Sequence, residues 1–413
     1  MIAQRNWRTI LLVVGAGIVS AFQVGKAPAA LGIVQADLAL DLATAAWMLS
    51  AFGIVGALGG IVTGVIVDHL GARRLAVGGL VLQGLACGLG AMAPDAAWLL
   101  ASRAVEGLGF LAVVVAAPAL IDATATPNQA PRAFAAWSTF MPVGITLVLL
   151  GAPLLEAMGW RGFWLLNAAI LLGYAVLLER GTRAIARARE TRSRLVGDIV
   201  ETLGSPGPWL LAGLFAAFTA VYFAVFGFLP TVLEERWSLA PATASLLTAI
   251  AVLVNAGGNL AGGALLARGH SAARILQVAF AALAVCGLGI FIEAAPALLA
   301  YGLCVAFSCI GGLIPTVLFN LAPRETPRPE LLGATTGWLM QGNNLGLTLG
   351  PVAAGWLAAQ WGWPAISLLV AALSVAGCLL ALGLGRRATS ASTPGMAAGS
   401  STGTSRTATN GKS

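Results

Sequence analysis

The chain has 413 residues, 58% of them apolar and 9% charged, with a formal net charge of +7. A soluble globular domain carries about a quarter charged residues, so most of this chain cannot face water. The positive charge sits in short stretches between apolar runs, which excludes a nucleic-acid surface and fits the inside-positive loops of a membrane protein.

A membrane-spanning helix needs about 20 apolar residues. Twelve such runs fit, at 9–33, 46–67, 75–93, 97–120, 133–155, 162–179, 209–233, 241–266, 273–293, 296–320, 333–358 and 364–385. The first follows Arg5 and Arg8, and Ala27-Pro28-Ala29 imitates a signal-cleavage site. Lys26 abuts that site and cleavage would spoil the even count, so the run is read as a retained span. All but four of the 23 Lys and Arg then fall on one side of the bilayer. The exceptions are Lys26 and Arg103 inside spans and Arg161 and Arg236 on the far side, where Asp37, Asp41, Asp95, Glu156, Glu234, Glu235 and Glu293 also lie. This bias places both termini in the cytoplasm of a multi-pass protein of the inner or plasma membrane.

Four segments follow: a first half at 1–179, a cytoplasmic linker at 180–208, a second half at 209–387 and a tail at 388–413. The linker opens with Arg180, Arg183, Arg187, Arg189, Arg192 and Arg194. Leu195, Ile199 and Leu203 then share a helix face, which suits a helix on the bilayer surface or a solvated linker. The tail from Thr389 has no Leu, Ile, Val or Phe, and disorder is expected there. The five cysteines lie in apolar runs and give neither a disulfide framework nor a zinc spacing.

Enzyme signatures fail on context. Gly88-x-Gly90-x-x-Ala93 and Gly107-x-Gly109-x-x-Ala112 match a dinucleotide fingerprint as text, but they lie inside spans and follow no strand. The pattern offers no nucleophile elbow, metal-ligand pair or nucleotide loop, so no cofactor and no enzyme activity are expected. A membrane enzyme or sensor is the remote alternative.

The most informative stretch is Gly56 to Arg74. Gly56, Gly60 and Gly64 recur every four residues, which puts them on one helix face and lets a second helix approach closely. At one constant offset Gly59 and Gly60 reappear as Gly257 and Gly258, Gly64 as Gly262 and Gly71 as Gly269, the mark of an internal duplication. Gly64-x-x-x-Asp68-x-x-Gly71-x-Arg73-Arg74 resembles the loop signature between helices 2 and 3 of the major facilitator superfamily. The resemblance implies an all-α integral membrane fold of twelve helices in two six-helix pseudo-repeats. It also implies secondary transport of a solute by alternating access. Met141-Pro142-Val143-Gly144 after Trp137 resembles the branch with cyanate and nitroimidazole transport proteins. The family's antiporter pattern has adjacent Gly-Pro here, whereas Ala152 separates Gly151 from Pro153.

Charges inside spans are costly and need a reason. Counted from the outer ends, Lys26 and Arg103 each lie roughly 10 Å deep, and Glu106 is one turn from Arg103. The resemblance places their helices along the central cavity. Two cations against one carboxylate leave it positive, so Lys26 and Arg103 are expected to attract a small anion, with Glu106 as candidate coupling group and a proton as candidate coupling ion. Lys26 could instead snorkel to the interface, and in the family the helix 4 arginine often serves structure or coupling. Tyr222, Gln341 and Asn344 are the further solute-binding candidates, while Gln23, Asn255, Asn259 and Asn343 suit bonds between helices. The alternative cargo is an apolar or cationic compound moved by efflux. Asp68, Gly71, Arg73 and Arg74 are the gating candidates. By the resemblance, Asp68 holds the cytoplasmic side closed by attracting the N-terminus of helix 11 and a loop arginine; otherwise it only offsets its arginine neighbours.

Overall fold

The computed structural model describes residues 2–40, 42–183, 195–292 and 295–391. The linker arginines from Arg187 to Arg194, Glu293 and the tail from 392 onward lie outside the described residues.

Apolar runs become helices because every backbone polar group must be satisfied internally in lipid. In the first half they are α1 (Ile2–Asp37), α2 (Leu42–Leu70), α3 (Ala72–Ala91) and α4 (Ala96–Asp122), then α5 (Ala130–Ser138), α6 (Phe140–Leu150) and α7 (Ala152–Gly181). The linker contributes α8 (Leu195–Gly204). The second half has α9 (Pro206–Phe226), α10 (Leu229–Trp237), α11 (Pro241–Ala267) and α12 (Ala272–Ile290), then α13 (Ala297–Gly311), α14 (Leu313–Glu325), α15 (Leu332–Trp361) and α16 (Pro364–Ala391). Helices α5 and α6 make one span and α13 and α14 another. The first of these breaks at Thr139, whose hydroxyl donates to the Ala136 carbonyl at 2.8 Å just before Pro142.

Eleven spans among the described residues are long and apolar enough to cross a membrane. The twelfth expected span is α15. It has 30 residues, but Gln341, Asn343, Asn344 and its glycines leave it less apolar than the rest. It is covered on two sides: Gly333 and Gly337 meet the α2 backbone at Gly64 and Gly60, and Gly342, Gly346 and Gly350 meet the α9 carbonyls of Ala212, Ala216 and Ala220. The four-residue glycine stripe of Gly342, Gly346 and Gly350 is therefore the contact of this helix with α9.

The duplication appears in the backbone. Gly71 and Gly269 take φ of 87° and 85° at equivalent turns, and Gly159 and Gly362 take 69° and 76° before Trp160 and Trp363. L-side chains rarely adopt such angles, so glycine fixes both pairs of turns. Gly159 also corrects the expected sixth span: α7 begins before the break there, with a short outer segment from Ala152. The repeated glycines do not keep their partners. Gly258 and Gly262 pack on Cys309 and Leu313 of the same half, while neighbouring Gly263 meets Pro131 and Ala135 of α5. Two seams thus join the halves, α2 with α15 and α5 with α11.

At the end away from Gly71, Asp37 closes α1 onto α7. It pairs with Arg161 and accepts from Trp160 Nε1 at 3.0 Å, and Arg161 also donates to the Ala93 carbonyl at 3.1 Å. Hydrogen bonds from Arg161 and Trp160 hold the Asp37 carboxyl below the usual carboxylate range. The pair therefore contributes above that range and is lost as pH falls through the lowered value. It is exposed, so its contribution is small.

Candidate functional site

Lys26, Arg103 and Glu106 form one buried cluster with relative exposures of 0%, 1% and 0%. Lys26 Nζ donates to Glu106 Oε1 at 2.9 Å and to Cys87 Sγ at 2.8 Å, and the thiol lies 3.1 Å from the Trp164 carbonyl oxygen. Arg103 bonds the other carboxylate oxygen of Glu106 and donates Nε to the Met48 carbonyl at 3.3 Å. The ammonium stands 4.5 Å from the Trp164 ring centre and the guanidinium 4.8 Å from that of Phe52. The expected common depth is thus real, because both cations meet on one carboxylate. Lys26 does not reach the interface. The cations are also not displayed to an open cavity: every partner comes from α1, α2, α3, α4 or α7, all in the first half. Removing the shared carboxylate of such a buried group leaves both cations uncompensated.

Tyr222, Gln341 and Asn344 lie apart from this cluster. The Tyr222 hydroxyl is 3.1 Å from Ser308 Oγ. Gln341 Oε1 accepts from the Ile61 backbone at 3.2 Å, and Asn344 lies against Gly56 and donates to the Met340 carbonyl at 2.8 Å. Asn255 and Asn259 join α11 to α13 and α14 through Ser308 and Thr316. Apart from Asn344, whose bond stays within α15, these polar groups bond helices together, the commoner use of such residues in membranes. Gln23 is fully buried, and neither amide atom has a protein partner.

An aromatic band also crosses between the halves. Phe52 contacts Phe110, Phe110 contacts Phe140, and Trp137 stacks on Phe140 at 4.4 Å. Trp137 of α5 then meets Phe319 of α14 edge-on at 6.3 Å, and Phe319 meets Phe215 at 5.8 Å. The band continues through Phe218 and Tyr222 to Phe226 and Phe307. All ten rings are buried. The candidate residues read from sequence omit nine of them. Phe215, Phe218, Tyr222 and Phe226 recur at three- and four-residue intervals, a one-face pattern that was available; the Trp137–Phe319 step needs two distant spans brought together.

At the basic end Asp68 accepts from the Gly333 and Ala334 backbone N–H groups at 2.7 and 2.8 Å. It caps the N-terminus of α15, where free N–H groups and the helix dipole favour a carboxylate. Among the described residues no arginine bonds Asp68: its oxygens accept from α15, and Arg73 pairs with Glu179 of α7 instead. Arg74 is exposed, and Gly71 provides the turn. The linker helix adds a second tie. Asp198 of α8 lies 3.6 Å from His69 Nε2, and Arg328, just ahead of α15, donates twice to Glu201 at 2.7 Å. Ile199 packs on Val65, Leu331 and Ala334, whereas Val196 and Val200 face outward. The inward face of α8 thus includes carboxylates that the leucine–isoleucine spacing did not reveal.

Comparisons with known proteins agree with this architecture. The chain is 30% identical over 203 residues to the puromycin resistance protein pur8 of Streptomyces alboniger, covering 48% of this chain and 39% of that protein. It is 27% identical over 194 residues to the multidrug efflux pump LfrA of Mycolicibacterium smegmatis (strain ATCC 700084 / mc(2)155), covering 46% and 35% respectively. The chain therefore spans well under half the length of these relatives. The cyanate and nitroimidazole branch is not supported, since the relatives carry mostly drug-resistance and efflux names. The crystal structure of the human organic anion transporter MFSD10 (TETRAN) has the same fold, with TM-score 0.76, 16% identity and 91% and 99% of the two chains covered. The proton:xylose symporter XylE matches with TM-score 0.73 at 13% identity, covering 94% and 96%. The sequence model of the Major Facilitator Superfamily matches residues 13–340, and the chain belongs to that superfamily.

Proposed function

We propose that this chain is a secondary transporter that exports apolar aromatic compounds by alternating access, not an enzyme. The observation that carries the reading is the aromatic band from Phe52 to Phe307, which crosses the junction of the halves at Trp137 and Phe319. Rings of this kind offer stacking and edge contacts to a planar solute. The drug-resistance and efflux names of the relatives support it. Lys26 and Arg103 then serve the structure of the first half and hold Glu106 as the candidate proton-coupling group, away from the solute. A small organic anion is the second reading, favoured by the one positive charge the cluster leaves over. The test is export of a neutral aromatic dye from energised vesicles by wild type and Phe319→Leu, which removes the ring and keeps a somewhat smaller apolar side chain. Export is expected to fall severalfold with little change in melting temperature. Export at the wild-type rate, or stabilisation by small anions and not by dyes, transfers the assignment to the anion reading.

We further propose the orientation and division read from the charges: both termini and the 180–208 linker in the cytoplasm, with halves at 1–179 and 209–387. An impermeant thiol reagent added to intact cells is expected to leave Ser193→Cys unlabelled. Efficient labelling would invert the topology.

A further inference from the structure

We infer that the transported compound carries a hydrogen-bond acceptor beside its aromatic face, and that the indole N–H of Trp137 is the donor that selects it. The inference rests on the aromatic-path reading above.

Trp137 is 0% exposed, and its Nε1 has no hydrogen-bond partner. Buried indole N–H groups normally find an acceptor. Elsewhere in this chain the buried Trp160 does so, on Asp37, and even the exposed Trp98 and Trp209 donate to the Leu89 and Leu203 carbonyls. Two other buried indole nitrogens lack a partner, but neither is in the band: Trp164 lies beneath Lys26, and Trp338 packs against Trp209. Trp137 is the indole at the place where the band passes from one half to the other.

Its surroundings do not supply the missing acceptor. The ring is stacked on Phe140, set edge-on to Phe319, and its six-membered side rests on Gly17, where even an added Cβ would collide with it. A stabilising water needs two to four polar partners. The hydroxyls of Ser138 and Thr139 donate to the Phe134 and Ala136 carbonyls and Tyr222 is bonded to Ser308, and none of them accepts from the indole. The ring is wedged on two sides and cannot turn to seek a partner. A donor held rigid among apolar rings in this way is pre-organised for an acceptor brought in by a ligand, and a site built to hydrogen-bond a ligand disfavours the analogue that lacks the group.

Acridine and anthracene test this, since they have the same three-ring shape and differ by one ring nitrogen that accepts a hydrogen bond. Equilibrium dialysis of the purified full chain in detergent, against a detergent-only chamber, gives both affinities. One neutral hydrogen bond predicts that wild type binds acridine roughly three- to tenfold more tightly than anthracene. Trp137→Phe keeps a ring on Phe140 and removes the N–H, so the ratio of the two affinities should fall to about one whatever the change in overall binding. Equal binding of the two ligands by wild type overturns the inference without any variant, which covers the case of a Trp137→Phe protein that does not fold. A preference that survives in Trp137→Phe overturns it too, and leaves the aromatic path standing. Binding of neither ligand to wild type removes the aromatic path itself and this inference with it.

Discussion

Glu106→Gln is expected to destabilise the protein by about 3–5 kcal/mol, because two buried cations lose the one carboxylate they share. The loss should appear as a large drop in thermal unfolding temperature in detergent. Adding Lys26→Met to Glu106→Gln restores the original excess of one positive charge and should recover a substantial part of it. Recovery on that pattern identifies charge balance, not packing, as the cause. A Glu106→Gln protein as stable as wild type would falsify the picture of a dry, paired cluster.

The second large effect concerns the seam between α2 and α15. Asp68 offers both oxygens to the α15 N-terminus, and a charge-assisted hydrogen bond contributes about 1.5–3 kcal/mol. Asp68→Asn removes the charge and one acceptor. Since 1.4 kcal/mol corresponds to a factor of ten, the balance should move roughly 10- to 100-fold away from the state packed at this end. Spin labels at Ala72→Cys and Glu330→Cys should report longer distances in that background. Arg73→Gln should leave the distances alone, because Arg73 is tied to Glu179 within the first half. If Asp68→Asn leaves them unchanged and transport continues, Asp68 is not a latch.

These contrasts show what the amino-acid pattern discloses. The four-residue glycine ladder was legible because helix periodicity acts over one or two turns, whereas the Asp68 contact with the α15 N-terminus spans 265 positions and was available only through the family resemblance. Depth was legible too: counting residues set Lys26 and Arg103 level, and they meet at Glu106. Direction was not. Whether Lys26 points between the halves or into its own bundle depends on Cys87 and Trp164, which two other helices deliver. Arg73 shows the same limit, since its nearest carboxylate in sequence is Asp68 but its partner is Glu179. The repeated glycines were found as a pattern, yet Gly64 faces the other half while Gly262 faces its own. Duplication preserves turns such as Gly71 and Gly269 better than contacts, which each half has remade.

The composition of α15 bears on how the chain is made. Only one of its sides, with Leu345, Leu349, Val352 and Trp356, is apolar and uncovered. Gln341, Asn343 and Asn344 weigh against its partition into lipid as an isolated segment during synthesis. It is therefore a poor candidate to leave the insertion machinery alone, and a good one to leave alongside α9, whose backbone its glycines already fit, or with α16 once that helix has emerged. The N-terminus that Asp68 grips then becomes available only once α15 has been made. The first half would wait, unlatched, until α15 had joined it.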